Sequence, residues 1–442
     1  MTGPVSNPVR PIGILAGNGR LPGEIARAVT ARGGSVVIAA IDGEAGDDLA
    51  AFPATPVSLG QVGLILSTFR QAGCRDLVIV GGVTRPDIGK LKLDVGLIAN
   101  LPAVLRSVMA GGDDGVLRSV VRFFEAKGFT VVSPGDVAPG LVVGAGPAGA
   151  LAPGPGDTAD MLLGSSVVRA LGRFDVGQAV IVHDGRIEAI EAAEGTDRMM
   201  VRFAGRRTAE TAGGPAVRGG VLVKRPKPTQ EMRVDLPTIG PNTMMRASEA
   251  QLSGIAVLAG QTLIAGRSEA IATADANGLF VYGFTEGQQP ARKPAAGGWE
   301  GAAVQALGAR KPGSREISDA RLGAAVLASL AVLSHDGAAV VNRGYVLGLE
   351  PAGRVAPMFA RVAMLKQWGE GRWRRRMGVG VLGEDLMPDL ATIEAAAHLK
   401  GLAMMNGRVD RLPAGVVAAA GRAGLVLMGL TPDRTAAGSG TA

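Results

Sequence analysis

Short apolar strands alternate with helical segments along the N-terminal part of the chain, and this alternation constrains the fold more than any other feature. Strands are predicted at 12–16, 35–40, 76–80 and 130–132, and helices at 24–32, 61–72 and 116–127. Such alternation indicates βαβ units, whose strands lie parallel in one sheet. Ligands of these sheets bind beyond the carboxyl ends of the strands. We therefore expect an α/β fold that begins with a Rossmann-like, nucleotide-binding domain over residues 11–148.

The composition permits a large core and excludes several kinds of site. Hydrophobic residues make up 47% of the 442 residues and charged residues 19%, whereas aromatic residues make up only 3%. So few aromatic rings argue against a surface that stacks single-stranded nucleic acid. The single cysteine, Cys74, excludes an internal disulfide and a zinc site built from thiolates, and is predicted to lie in the core. Because the chain has three histidines, we expect its chemistry to rest on carboxylates, cations and a divalent ion.

The formal net charge of +7 is compatible with an anionic partner (a phosphate, an anionic membrane or nucleic acid) and equally with an ordinary basic surface, since the basic residues are scattered. The N-terminus lacks the pattern of a secretory signal. The longest uncharged stretch, 137–156, is rich in glycine and proline and does not resemble a spanning helix. These observations predict a cytoplasmic protein, and the positive charge would favour residence at an anionic leaflet.

Glycine- and proline-rich stretches indicate further domains. The stretch 134–156 predicts a boundary, after which a second α/β domain is expected over 156–286. A polar linker is predicted at 287–314 and a third domain at 315–430. The tail, 431–442, is predicted to be disordered.

The third domain is predicted to duplicate the second. Residues 160–204 align with 319–363 without a gap. The matched identities include Asp160 with Asp319, Gly185 with Gly344, Glu191 with Glu350 and Arg202 with Arg361. The polar loop 194–197 is replaced in the copy, and the run 224–230 has no counterpart. We therefore expect the third domain to keep the fold of the second without its chemistry. It would form a pseudo-dimer within one chain or replace the partner of a homodimer.

Two glycine turns follow predicted strands. The first, Gly17 to Pro22, leads into a helix, where backbone N–H groups can bind a phosphate. Its spacing differs from the dinucleotide motif G-x-G-x-x-G, which argues against a nicotinamide-dependent oxidoreductase. The second, Gly81 to Asp87, contains Arg85, whose planar guanidinium suits a phosphate. A third glycine-rich loop carries Asp113 and Asp114, which either cap the next helix or contact ribose or base.

The richest polar segment runs from Lys224 to Gly240. Three prolines and a glycine hold it away from regular helix. Lys224, Lys227 and Arg233 are cations suited to a pyrophosphate. Asp235 lies between two apolar residues, where a carboxylate can hold a metal or activate water.

An acidic loop in the second domain offers further ligands. Glu194 and Asp197 are close enough in sequence to bind Mg²⁺ or orient water. The alternative is a structural one, in which Thr196 caps the following helix.

Together these motifs resemble the LpxI family, the UDP-2,3-diacylglucosamine pyrophosphatases of lipid A synthesis. The resemblance covers about residues 11–284 and is carried by the segments 13–22, 81–87, 112–114, 191–197 and 224–240. It implies hydrolysis of the UDP-sugar to lipid X (2,3-diacylglucosamine 1-phosphate) and UMP, with Mg²⁺ or Mn²⁺ as cofactor and water attacking the β-phosphorus. It also implies a nucleotide-binding N-terminal domain followed by a catalytic α/β domain.

The resemblance implies roles for individual residues. Asp235 would be the essential carboxylate, and the expected metal ligands are Asp235, Glu194 and Asp197. Asn18 stands where the family usually has glycine. The expected substrate-binding residues are Gly17, Asn18, Gly19, Leu21, Pro22, Gly82, Arg85, Asp113, Asp114, Gly195, Thr196, Lys224, Lys227, Gln230, Arg233 and Thr238.

A second hypothesis is a catalytically inactive protein of the same fold that binds the nucleotide sugar or lipid and acts as a regulator. The two hypotheses differ in whether UMP is released from UDP-2,3-diacylglucosamine in the presence of Mg²⁺.

Overall fold

The computed structural model describes residues 10–83, 113–210, 218–228, 230–288, 298–331, 337–351, 354–365, 378–405 and 412–433. The contacts of the chain divide it into two compact units. The first unit comprises Met1–Ala150, Thr229–Met245 and Val257–Phe284, and the second comprises Leu151–Pro228, Arg246–Ala256 and Thr285–Ala442. Within the described ranges, no helix is long and apolar enough to cross a membrane.

The N-terminal sheet has the strand order β3-β2-β1-β4-β5, and all of its pairs are parallel. Its elements and the helices that connect them are β1 (Ile12–Ala16), α1 (Leu21–Ala31), β2 (Val36–Ile41), β3 (Ala54–Val57), α2 (Val62–Gln71), β4 (Asp76–Val80), α3 (Asp113–Ala126), β5 (Thr130–Val131) and α4 (Pro134–Val137). The expected Rossmann-like parallel sheet is therefore confirmed. The strand order reverses between β1 and β4, which is the position where sheets of this type bind their ligands.

Both faces of this sheet are covered by hydrophobic clusters. Along β1, Ile14 and Ala16 pack into one cluster and Leu15 into the other, because successive side chains of a strand point to opposite faces. Cys74 is buried in the same cluster as Leu15, as predicted. Burial on both faces explains why the strands are apolar runs without a polar alternation.

The bounds of β1 and β4 are those predicted, whereas other elements differ. Helix α1 begins at Leu21, three positions before the predicted start, because proline fits the first turn of a helix and Pro22 lies there. Strand β3 was not predicted. It is a short strand at the edge of the sheet and contains Pro56, a residue that sequence patterns assign to turns.

The second sheet is mixed and has the order β6-β13-β11-β9-β7-β8, with a separate parallel pair, β10 and β12. The elements of this region are β6 (Gly146–Pro147), α5 (Pro155–Gly172), β7 (Ala179–His183), β8 (Arg186–Ile190), α6 (Thr196–Glu210), β9 (Val221–Lys224), β10 (Thr238–Ile239), α7 (Pro241–Glu249), β11 (Gly254–Leu258), β12 (Leu263–Ile264), α8 (Arg267–Ala276) and β13 (Phe280–Phe284).

The third sheet has the order β14-β19-β18-β17-β15-β16, the same arrangement of successive strands as the second. Its elements are β14 (Ala303–Ala306), α9 (Ser314–Ala331), β15 (Gly337–Asn342), β16 (Tyr345–Pro351), α10 (Val355–Leu365), β17 (Val379–Leu382), α11 (Leu390–Ala395), β18 (Gly401–Met405), α12 (Ala414–Arg422) and β19 (Val426–Thr431). In both sheets the strand that comes first in sequence (β6 or β14) pairs antiparallel with the strand that comes last in sequence (β13 or β19).

The two sheets also share a hairpin and its support. The carboxylate of Asp160 accepts hydrogen bonds from the N–H groups of Asp184 and Gly185 in the β7–β8 turn, at 2.9 and 2.7 Å. Asp319 accepts the same two bonds from the β15–β16 turn, at 2.9 and 2.8 Å. Both turn residues of each hairpin have positive φ, which is the conformation of a type I′ turn. A contact repeated at the same spacing supports the interpretation of the third region as a copy of the second.

One expectation about the C-terminal half needs correction. The predicted linker contains β14, which pairs with β19, and the glycine- and proline-rich composition around this four-residue edge strand concealed it. Asp235 and Asp389 also lie in different local structure. Asp389 caps helix α11 by accepting from the N–H of Thr392, whereas Asp235 follows a turn that leads into β10. The tail from 434 onward lies outside the described residues.

Candidate functional site

The two glycine turns meet at the reversal point of the N-terminal sheet. The N–H of Asn18 donates to the carbonyl of Gly82 at 2.7 Å, and the N–H of Gly82 donates to the carbonyl of Asn18 at 2.9 Å. These reciprocal bonds join the loop after β1 to the loop after β4. The open pocket beside them is lined by Asn18, Gly19, Glu44, Gly82 and Val83. Glu44 was not predicted, because it follows a different strand, β2.

Glycine is required where the two turns approach each other. A Cβ on Gly17 would lie 2.4 Å from the carbonyl oxygen of Gly82. A Cβ on Gly81 would lie 2.6 Å from the carbonyl carbon of Gly17, and Gly81 also has a φ of +98°. Any larger residue would therefore separate the two loops, which explains why both are glycine-rich.

The other residues predicted for this part of the site are not among the described residues that line the pocket. Leu21 and Pro22 form the first turn of α1, immediately after the Gly17–Gly19 loop. Asp113 and Asp114 begin α3, of which only the backbone is described at these positions. Arg85 lies outside the described residues.

Asp235, the predicted catalytic carboxylate, is held by a neighbour in the same segment. The side-chain amide of Gln230 donates to both the carbonyl oxygen and Oδ2 of Asp235, each at 2.7 Å. Gln230 is itself buried, and Asp235 is partly exposed. The structure thus brings together two of the predicted residues and fixes the orientation of the carboxylate.

Arg233 in the same segment is engaged by two carboxylates. Its guanidinium contacts Glu231 at 2.8 Å and Glu125 at 2.6 Å. The hydrogen bonds that Arg233 donates to Glu231 lower the pKa of Glu231 and raise the pKa of Arg233. Thr238, at the start of β10, donates to the carbonyl of Leu236 at 3.1 Å. These contacts order the segment from Gln230 to Thr238 within the first unit.

A second cluster, in the second unit, surrounds Lys224 at the end of β9. Its Nζ donates to Thr196 Oγ1 at 3.3 Å, and both Lys224 and Glu191 are buried. Burial raises the pKa of Glu191, against the attraction of Lys224 and hydrogen bonds from the backbone of Gln178 and from Thr196. Thr196 is the first residue of α6 and follows Gly195, whose φ is +81°. A buried lysine and the positive end of a helix therefore face the same point, an arrangement that favours an anion.

The electrostatic interaction of Glu191 with Lys224 was not predicted. The signal was available in part, because Glu191 is conserved in the internal copy as Glu350. What the sequence lacked was the pairing of β7 with both β8 and β9, which places Glu191 and Lys224 on either side of Ala179.

Glu194 and Asp197, predicted as metal ligands, differ in their surroundings. Glu194 accepts from Arg202 at 2.7 Å and lies 3.7 Å from Arg361, with its side chain 2% exposed. Asp197 is exposed in the first turn of α6. In the part of the chain that the structure describes, no group of three or more His, Cys, Asp or Glu residues is arranged to hold a metal ion. Metal binding at Glu194 remains a prediction and would compete with its ion pairs.

Two more cations of the segment have defined partners. Lys227 forms an ion pair with Asp175. Arg225, which was not predicted as a site residue, is buried, forms an ion pair with Glu286 and donates to Ser165 Oγ at 3.2 Å. Burial lowers the pKa of Arg225. Its position directly after Lys224 indicates that it supports the end of β9.

The third sheet lacks the cluster around Lys224. Lys224 lies opposite Ala179 of β7, and the residue at the same register of the third sheet is Leu382, opposite Ala338. Thr196 corresponds to Val355 in the gap-free alignment. The third region thus has no cation at this position, in agreement with the prediction that it lacks the chemistry of the second.

Comparison with known proteins gives matches for the first two regions. Residues 11–141 match the family model described as the LpxI N-terminal domain, and residues 144–282 match that of the LpxI C-terminal domain. The UDP-2,3-diacylglucosamine pyrophosphatase LpxI of Caulobacter vibrioides is 38% identical over 283 residues, which span 64% of this chain and 100% of that protein.

Proposed function

Because the chain belongs to the LpxI family, we propose that it hydrolyses the pyrophosphate bond of UDP-2,3-diacylglucosamine in lipid A biosynthesis. The products are UMP and lipid X (2,3-diacylglucosamine 1-phosphate). The observation that carries this proposal is the match to a named pyrophosphatase over its whole length. The geometry of the two clusters supports it.

The nucleotide is proposed to bind at the glycine turns of the N-terminal sheet. This pocket lies beyond the carboxyl ends of β1 and β4, where backbone N–H groups and the start of α1 suit a phosphate. Glu44, at the rim, is a suitable acceptor for hydroxyl groups.

Lys224 is proposed to bind the pyrophosphate. Charge on the transferred phosphoryl group must be neutralised during hydrolysis, and a fixed cation in a buried position does this without reorganising. Thr196 and Glu191 hold the lysine in place. Lys227 and Arg233 are proposed as additional cations, which must exchange their present carboxylate partners for phosphate.

Asp235 is proposed to accept a proton from the attacking water or to hold Mg²⁺. The bond from Gln230 leaves the carboxylate oriented and partly exposed, as either role requires. Mg²⁺ is commonly bound through one or two carboxylates together with substrate phosphates, so a cage made only of protein ligands is not needed. When bound, the ion would neutralise charge on the phosphate oxygens. The metal roles of Glu194 and Asp197 stay predictions from the family resemblance, and Mn²⁺ is an alternative ion.

A diacyl substrate resides in a membrane, and the net charge of +7 supports a peripheral position on an anionic leaflet. We propose that the protein works at the inner leaflet of the cytoplasmic membrane. Sedimentation with vesicles that contain anionic lipid, but not with neutral vesicles, would support this location.

The function is tested by measuring UMP release from UDP-2,3-diacylglucosamine with Mg²⁺, Mn²⁺ or excess chelator. The matched control is Asp389→Asn, which changes an exposed capping aspartate in the third sheet region. We expect turnover by the wild type and by this control, and turnover reduced roughly 10²–10⁴-fold in Asp235→Asn. Binding of substrate without turnover by the wild type would instead favour the regulatory hypothesis.

A further inference from the structure

Equivalent elements of the second and third sheets contact each other within the second unit. Strand β8 forms one edge of the second sheet, and β16 forms the corresponding edge of the third sheet. These two edges contact each other. Helix α5 contacts α9 in the same way. Contacts between equivalent elements are the property of an isologous, twofold interface between two copies of one fold.

Four charged side chains lie at this contact. Arg202 contacts Glu194 of its own region at 2.7 Å and Glu350 of the third region at 3.0 Å. Arg361, the residue equivalent to Arg202, contacts Glu350 of its own region at 3.2 Å and Glu194 of the other at 3.7 Å. Each arginine therefore contacts one glutamate of its own region and one of the other region.

The cluster is buried and charge-balanced. The side chains of Glu194 and Glu350 are 2% and 4% exposed, and those of Arg202 and Arg361 are 18% and 16% exposed. Two cations and two anions cancel, so separating the two regions would leave buried charges without their partners. Breaking such a pair from one side is strongly destabilising.

Glu194 and Glu350 are not at equivalent positions of the repeat, and the interactions around Lys224 explain the difference. Glu350 is equivalent to Glu191, but Glu191 interacts with Lys224 and Thr196. Glu194, rather than Glu191, therefore pairs with the arginines at the contact. In the third region the lysine is replaced by Leu382, and Glu350 faces the arginines instead.

We propose that residues 298–431 act as a fused partner, occupying the place that a second copy of the 151–228 region would take against the β8 edge. The chain is then a pseudo-dimer with one Lys224 cluster, and its β8 edge is not open to another chain. An exposed edge strand is otherwise a surface for pairing with a second molecule. This inference concerns assembly and does not depend on the proposed reaction.

The test uses the intact chain, with hydrogen exchange of peptides that cover β8 and β16 and sedimentation velocity over a wide concentration range. Glu350→Gln removes one charge while keeping the shape of the side chain, and the matched control is Glu384→Gln, an exposed glutamate of the same region. We expect a monomer at all concentrations. Glu350→Gln should accelerate exchange roughly a hundredfold in both β8 and β16, and the control should leave both unchanged.

Two results would overturn the proposal. One is faster exchange in β16 alone, since Glu350 would then stabilise only its own region. The other is a concentration-dependent dimer of the wild type in which β8 gains further protection. If Glu350→Gln exposes the whole third region, Arg202→Gln serves as the second variant, because it lies in the other region and must accelerate exchange in β16 across the contact.

Discussion

Lys224 Nζ donates to Thr196 Oγ1 across 3.3 Å, joining the end of β9 to the first residue of α6. Glu191 lies in the same buried cluster and attracts the lysine. The contact places a cation next to a helix N-terminus, and the internal copy has leucine and valine at the two positions. This is the clearest difference between the two related regions, and it supplies the first prediction.

Replacing Lys224 by glutamine is expected to lower kcat/KM for UDP-2,3-diacylglucosamine by roughly 10²–10³-fold, because a preorganised charge that stabilises the transition state is lost. Steady-state assays of UMP release measure the effect. Lys400→Gln, which alters a half-exposed lysine paired with Glu316 in the third region, is the control. Equal activity of the two variants would remove Lys224 from the proposed mechanism.

Asp235→Asn is expected to reduce kcat by roughly 10²–10⁴-fold, the range for loss of a general base, with little change in nucleotide binding. Turnover and UMP binding are measured separately, by product release and calorimetry. Asp389→Asn should retain activity and stability, since asparagine is also a good N-cap. A loss of activity in Asp389→Asn as large as that in Asp235→Asn would contradict the separate roles given to these residues.

Glu191→Gln is expected to change how stability depends on pH. Burial raises the pKa of Glu191, so its contribution to stability is fully present below its ordinary pKa. That contribution is lost as the pH rises through the raised value, because ionising the buried acid opposes folding. The free energy of unfolding of Glu191→Gln, minus that of the wild type, should therefore increase with pH. Urea unfolding at several pH values measures this difference, and parallel pH profiles would contradict it.

Gly17→Ala is expected to destabilise the N-terminal sheet by about 1–3 kcal/mol, because the new Cβ would lie 2.4 Å from the carbonyl oxygen of Gly82. Affinity for UMP should fall as well, since the two turns would separate. Thermal unfolding and calorimetry give the two quantities. Gly140→Ala is the control, because nothing lies within 4 Å of its new Cβ. If both variants melt and bind like the wild type, the close approach of the two loops has no energetic weight.

Much of the N-terminal sheet was predictable, because its order follows from local patterns. Strands β1 and β4 are apolar runs that end at glycine. Because both of their faces are buried, their sequences are short continuous apolar runs rather than patterns with helical periodicity. Strands β3 and β14 were missed because each is a four-residue edge strand, with little apolar side-chain pattern to mark it. Edge strands depend on the neighbour that they pair with, which a local pattern does not contain.

The candidate site was predictable as a set of residue types and only partly as a set of contacts. The sequence indicated that Gln230, Asp235, Lys224 and Thr196 belong to it, and the structure pairs them as Gln230 with Asp235 and Lys224 with Thr196. Glu194 was predicted as a metal ligand from its neighbours in sequence. Its arginine partners are Arg202 of α6 and Arg361 of α10, the latter 167 positions after Glu194. A local sequence pattern therefore cannot indicate both of them.

The sequence by itself determined the βαβ order of the N-terminal domain, the glycine turns after β1 and β4, and the relation between the second and third regions. These follow from local periodicity and from identities at fixed spacing. Only the tertiary structure decided that Glu191 interacts electrostatically with Lys224 and that Glu350 contacts Arg202. Equivalent positions of a repeat have the same backbone surroundings, but the partner of a buried charge depends on which residues the neighbouring strands and regions bring to it.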